Sequence, residues 1–202
     1  MSQKLISVII PIYSIKKCIS KCLESITNQT YKNLEILIID NHPKPIFSDI
    51  YNKFAKKDNR IKIITTTSSD VNNLGLNLAT GDYVHFISSC DYISPDYYEK
   101  MLNSALPNNS DIAISGFNIG NENIIYKTNT LYNRIKDKVN ITELNKYEFI
   151  FRYLFKKDFL TTNKIKFNKE NSVDDLLFLM KSVFFANNIA TVPNVMYFHT
   201  EE

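Results

Sequence analysis

Cysteine is scarce in this chain of 202 residues: there are three, Cys18, Cys22 and Cys90. So sparse and odd a set excludes a disulfide framework and points to a reducing compartment, the cytoplasm. Cys18 and Cys22 stand four apart in a helical stretch without a Cys-x-x-Cys motif, so both read as small buried core residues. Long apolar runs are missing too. No stretch approaches the roughly 18 residues a membrane-spanning helix needs, and residues 1–4 lead into a strand-like segment without a signal-peptide pattern. The expected location is therefore cytoplasmic, with peripheral attachment at the inner face of the membrane as the alternative. Neither sign of charge dominates: 24 Lys and Arg against 21 Asp and Glu leave a net +3. That balance is too mild for a nucleic-acid partner, which would call for a basic stripe. Phosphate-binding loops are absent as well. No G-x-G-x-x-G follows the first apolar run and no G-x-x-x-x-G-K occurs, which argues against a Rossmann dehydrogenase and a P-loop enzyme.

What is present is an alternation of two periodicities. Residues 5–12 (LISVIIPI), 34–39 (LEILII), 61–64 and 83–87 (YVHFI) are short apolar runs rich in β-branched and aromatic residues, as in buried strands. Between them, residues 15–28, 47–57 and 71–79 carry apolar positions at helical spacing. Ile15, Cys18, Ile19, Cys22, Leu23 and Ile26 make the clearest stripe, opposite Lys16, Lys17, Lys21 and Glu24. Pro95 suits the start of a helix running to Leu106, and 112–117 reads as a further strand. The connections are long enough for helical crossovers, so the sheet is expected to be mostly parallel. Regularity falls after Gly116. Residues 118–145 are assigned short strands or loops, 146–160 an aromatic-rich helix, and 174–187 a helix marked by Leu176, Leu177, Met180, Val183 and Phe184. With 44% apolar and 22% charged residues and no repeat or linker, one α/β domain over 1–202 is expected.

In an open parallel sheet, ligands bind beyond the carboxyl ends of the strands. Here those ends read Pro11-Ile12-Tyr13, Asp40-Asn41-His42, Thr65-Thr66-Thr67 and Ser88-Ser89-Cys90-Asp91. They form a polar rim on an apolar scaffold, with carboxylates at Asp40 and Asp91.

The order of segments takes the reading further. ISVIIPIYSIKKCISKCLESITNQTYKNLEILIID, KKDNRIKII, NLGLNLATGDYVHFI and DYISPDYYEKML follow one another at the right spacing, and FRYLFKKDFL, IKFNKENSVDDLLF and PNVMYFH come later. Together they resemble family 2 glycosyltransferases of the bacterial capsule and lipooligosaccharide type over nearly the whole chain. The resemblance implies a GT-A fold, a Rossmann-like, mostly parallel sheet flanked by helices. Residues 1–117 would form a nucleotide-sugar-binding half and 118–202 an irregular acceptor-side half. It implies transfer of a sugar from a nucleotide-diphosphate donor to a glycan hydroxyl, usually with inversion, in surface polysaccharide synthesis. A second reading is a GT-A domain that has lost catalysis and serves as a binding or structural module in a larger polysaccharide-synthesis protein. A nucleotidyltransferase would want a Gly-rich, Arg-bearing loop after the first strand, and residues 14–17 do not supply one.

Carried over residue by residue, the resemblance places Pro11, Tyr13, Asp40, Asn41, Asn73 and Ser89 at the nucleotide and Asp175 as general base. The family expects Mn²⁺ or Mg²⁺ on an Asp-Ser-Asp-Asp motif, where this chain has Ser88, Ser89, Cys90 and Asp91. Cys90 thus occupies the usual ligand position, and a thiol suits zinc or copper(I) better than these oxygen-seeking ions. Asp91 and His199 are the remaining candidate metal ligands, and the altered motif also fits a protein that uses no metal. Asp91 reads equally as a loop cap, and the Asp174-Asp175 pair as an acidic helix start. Asn41 replaces the second Asp of Asp-Asp-Gly-Ser, which lowers the expected preference for uridine. Asn72 stands where an Arg to the diphosphate is expected.

Overall fold

The computed structural model describes residues 3–12, 18–42, 48–142, 150–168 and 174–200. The apolar runs become strands and the stripes between them helices: β1 (Ile6–Ile12), α1 (Ile19–Thr27), β2 (Leu34–Asp40), α2 (Ser48–Ala55), β3 (Ile61–Thr65), α3 (Val71–Leu78) and β4 (Tyr83–Phe86). All seven residues of β1 and all seven of β2 are buried, which is why they read as continuous rather than alternating apolar runs. β1 pairs in parallel with β2 and with β4, and β2 with β3. Ile12, Asp40 and Thr65 therefore end side by side.

The chain continues through β5 (Tyr92–Ile93), α4 (Tyr97–Ala105), β6 (Ile112–Ile119), β7 (Glu122–Ile124), β8 (Leu131–Tyr132), α5 (Ile135–Thr142), β9 (Tyr153–Lys156), α6 (Lys157–Thr162), α7 (Asp174–Phe185) and β10 (Ile189–His199). The sheet runs β3-β2-β1-β4-β9-β6-β10-β5, with β7 on β6 and β8 on β10. β9 is antiparallel to both β4 and β6, so β6 points the same way as β4, and β10 runs parallel to β6. The sheet is thus mostly parallel, as expected, with antiparallel pairs in its second half.

Helices cover both faces. Ile6, Val8, Ile10 and Ile12 pack with Cys22, Leu23 and Ile26 of α1 and with Tyr97, Tyr98 and Met101 of α4. Ile9 turns the other way, toward Leu37, Ile39, Val71 and Leu76, in the cluster that also holds Phe178 and Leu179 of α7. Full burial of each such side chain is worth about 1.5–3 kcal/mol, so this double-sided packing is the main source of stability.

Two expectations need correction. The segment 146–160 is not one helix: its described part holds β9 followed by α6. Tyr153 and Phe155 lie in one core cluster and Leu154 in the other. A strand covered on both faces is apolar at every position, and period alone cannot tell it from a buried helix. Within 118–145, assigned strands or loops, α5 forms a helix. Its inward positions are Lys138 and Thr142, whereas Ile135 and Val139 are exposed, so it carries no apolar stripe to announce it. Lys138 Nζ donates to the carbonyl of Ala186, which fastens α5 beside the end of α7.

Candidate active site

The carboxyl ends of the parallel strands form one rim, and its acidic residues are held tightly. Asp40 closes β2 and is 1% exposed. Its Oδ1 accepts from the backbone N–H of His42 at 2.9 Å, and its Oδ2 accepts from the Tyr51 hydroxyl of α2. Burial, then the hydrogen bond to Asp40, pushes the Tyr51 hydroxyl well above its ordinary pKa, so it stays a donor. Asp40 accordingly shapes the turn that presents Asn41 and His42. Those two residues, with Thr65, Thr66 and Thr67 after β3, line a cleft of about 590 Å³. The N–H of Thr66 donates to the carbonyl of Asp40 at 2.9 Å, which ties the two walls together. Pro11 is buried on β1 opposite Ile39, forming the floor behind this rim. Tyr13 lies outside the described residues.

Asp91 is brought together with His199, as the sequence suggested, but within a closed cluster. It is fully buried. Its Oδ2 accepts from the Tyr197 hydroxyl and lies 3.1 Å from His199 Nδ1, and its Oδ1 accepts from the N–H of Thr200 at 2.9 Å. Burial, then the charge of Asp91, pushes the Tyr197 hydroxyl well above the usual range, so it too remains a donor. The cluster locks the loop after β4 onto the end of β10. Ser88 and Ser89 are half-buried in that loop. The Ser88 carbonyl accepts from Cys22 Sγ at 3.5 Å and from the Asp91 N–H at 3.1 Å.

Cysteine corrects one expectation. Cys22 is buried in the core, as read, but Cys18 is half-exposed and joined by a disulfide to Cys90, with 4.7 Å between their Cα atoms. Cys18 immediately precedes α1, so it sits at the rim rather than inside the helix stripe.

These contacts bear on whether a divalent ion fits. Both Asp91 oxygens accept from protein donors, His199 lies against one of them, the Cys90 sulfur is bonded to Cys18, and Ser88 and Ser89 bring no charge. Among the described residues no group of three or more His, Cys, Asp or Glu is placed to hold a metal ion. Among the described residues this donor set is short of the several carboxylate or carbonyl oxygens that Mg²⁺ or Mn²⁺ take.

Asn73, on α3, is 8% exposed. Its amide donates to the carbonyl of Phe167 at 2.9 Å and accepts from the Phe167 N–H at 3.0 Å. Phe167 stacks on Phe178 of α7 with ring centroids 4.1 Å apart, and both meet Phe86 of β4 edge-on. This aromatic wedge sets α7 against the sheet.

Asp175 is the second residue of α7 and is half-buried. The other end of α7 is anchored where β6 begins: the N–H of Asn187 donates to Asp111 Oδ2 at 2.7 Å, and the Asp111 N–H donates to the Asn188 carbonyl. β6 starts at the amino edge of the parallel strands. A helix of this length rises about 18 Å, so its first turn lies well away from that edge, and Phe178, three residues after Asp175, meets Phe86 at the end of β4.

Sequence reasoning did not find the Cys18–Cys90 link, the Asp91–Tyr197–Thr200 lock, or the buried His85 of β4. His85 lies between the Tyr98 hydroxyl at 2.9 Å and the Phe151 carbonyl at 2.6 Å. Each joins residues far apart in sequence, so no local pattern signals them.

This arrangement, a mostly parallel sheet flanked by helices with a cleft at its carboxyl rim, is that of a GT-A glycosyltransferase domain. The chain matches Glycosyl transferase family 2 over residues 7–177 and belongs to that family. It is 34% identical over 151 residues to Glycosyltransferase GlyA of Streptococcus pneumoniae, covering 71% of this chain and 22% of GlyA. It is 28% identical to the Poly(ribitol-phosphate) beta-glucosyltransferase of Bacillus spizizenii, over 96% of this chain and 32% of that enzyme. The crystal structure of S. aureus TarS 1-349 in complex with UDP-GlcNAc has the same fold, with a TM-score of 0.85 at 21% identity, covering 98% of this chain and 59% of that one. The chain thus spans less than two thirds of each. No helix among the described residues is long and apolar enough to cross a membrane.

Proposed function

We propose that this domain transfers a sugar from a nucleotide-diphosphate donor to a glycan hydroxyl, with the nucleotide in the cleft of Asn41, His42 and Thr65–Thr67 and Asp175 as general base. The observation that supports the reading is the half-buried carboxylate of Asp175 in the first turn of α7, the helix whose other end is anchored at the start of β6. Asp175 would accept the acceptor O–H proton as that oxygen attacks the anomeric carbon. The bond from that carbon to the diphosphate oxygen breaks, its electrons leave with the nucleoside diphosphate, and the anomeric configuration inverts. Asn41 would meet the base, with Tyr13 and Ser89 beside the donor. Pro11, Asp40 and Asn73 would act by holding the loops, since their contacts are spent on the fold. Residues 1–117 would bind the donor and 118–202 the acceptor, in surface polysaccharide synthesis at the cytoplasmic side of the membrane. Without an oxygen-ligated cation the leaving diphosphate is less well neutralised, and turnover should be slow.

The test is a coupled assay of nucleoside diphosphate release from UDP-sugars. Asp175→Asn should lower turnover about 100- to 10,000-fold while leaving donor affinity nearly unchanged. An unaltered rate in the variant would assign Asp175 to the helix start alone, because an acidic first turn stabilises a helix without any catalysis.

A further inference from the structure

Two of the three cysteines are the half-exposed pair at the donor rim, and the third is sealed in the core. We propose that Cys18 and Cys90 form a reversible dithiol–disulfide site, oxidised by exchange with a low-molecular-weight disulfide, whose state sets the affinity of the donor cleft. The effect on affinity rests on the donor reading above; the thiol pair itself does not.

The geometry is already in place. The Cα atoms are 4.7 Å apart, inside the range a disulfide spans without backbone movement. The neighbour of Cys90, Asp91, is tied to Tyr197 and Thr200 of the β10 end. Cys18 is at the head of α1, whose body is fixed by buried Ile19, Cys22, Leu23 and Ile26. The bond therefore joins the end of the β1–α1 connection to the loop after β4, across neighbouring strands, on the edge where the cleft opens. Cys22 does not compete: it is buried, and burial followed by the charge of Asp91 pushes its thiol far up, away from the reactive thiolate.

The chemistry balances by two exchanges. One cysteine thiolate attacks the small disulfide, releasing one small thiol and leaving a mixed disulfide. The other cysteine thiolate then attacks the protein sulfur and releases the second small thiol. The protein pair loses two electrons and two protons, and the small disulfide gains them. A bond between two half-exposed cysteines is open to thiol exchange in a way that a buried one is not. When closed, it fixes the spacing between the head of α1 and the loop after β4, which would otherwise have to be set on binding.

The experiment treats the purified chain with glutathione disulfide, maps it by non-reducing digestion and mass spectrometry, and titrates UDP into the oxidised and dithiothreitol-reduced forms. The expected result is a Cys18–Cys90 peptide that dithiothreitol removes, with UDP binding roughly tenfold tighter in the oxidised form. Oxidation should also raise the melting temperature, since the bond closes a loop of 72 residues. Cys18→Ser should bind UDP like the reduced protein and ignore the oxidant. Separate glutathione adducts without the linked peptide would overturn the proposal, as would equal UDP affinity in the two forms. If the linked peptide forms but neither form binds UDP, the donor reading fails, and the regulatory clause with it, while the mapping establishes the redox pair.

Discussion

Two buried ionisable groups outside the rim set how the protein meets acid. Glu35 on β2 is 5% exposed. Burial alone would raise its pKa, but hydrogen bonds from Lys62, Ser7 and Thr80 outweigh that and bring it from 4.5 to about 2. His85 goes from 6.5 to about 4 because burial disfavours its charged form, against a smaller opposing effect of the Phe151 carbonyl. In both cases the unfolded chain takes up a proton at a higher pH than the folded one, so stability falls as pH falls. The His85 contribution is complete above pH 6.5 and lost by about pH 4; the Glu35 contribution is complete above 4.5 and lost by about 2. At about 1.4 kcal/mol per pKa unit, the window of the fully buried His85 is worth about 3 kcal/mol, and that of Glu35, which leans on the exposed Lys62, is worth less. Urea unfolding at a series of pH values should show both declines, and His85→Gln should flatten the upper one. A stability curve in the variant as steep as the parent's between pH 6.5 and 4 would show that His85 is not its source.

At the scale of elements, the position of α7 depends on a short chain of contacts: Asn73 holds Phe167, and Phe167 stacks on Phe178. Asn73→Ala would orphan the Phe167 N–H and carbonyl, at roughly 1–3 kcal/mol for each buried group. The expected outcome is a lower urea midpoint, with donor affinity falling only as far as α7 loosens. Unchanged stability with lost UDP binding would instead make Asn73 a direct nucleotide contact. The first four strands and the helices between them were legible because each shows one clear period over its length. β9 and α5 were not. Tyr153, Leu154 and Phe155 are apolar in sequence because both sides are covered, and α5 turns Lys138 and Thr142 inward for hydrogen bonds that no hydrophobic pattern reports.

For the whole molecule, the rim was legible as a set of strand ends, but its internal economy was not. Asp40 and Asp91 look alike in sequence as free carboxylates, and only the packing of Tyr51 and Tyr197 against them shows that both accept hydrogen bonds within the fold. Cys90 looked like a degraded ligand, and its partner 72 residues away gives it another role. We therefore read the rim of this family 2 fold as one that binds its donor without an oxygen-bound cation, its loops held by hydrogen bonds and a disulfide. Titration calorimetry of UDP in the presence of EDTA, and again with Mn²⁺, tests that account most directly. UDP should bind with the same affinity in both conditions, and Mn²⁺ alone should bind weakly. Binding that appears only with Mn²⁺, or tight uptake of Mn²⁺ once UDP is bound, would contradict it.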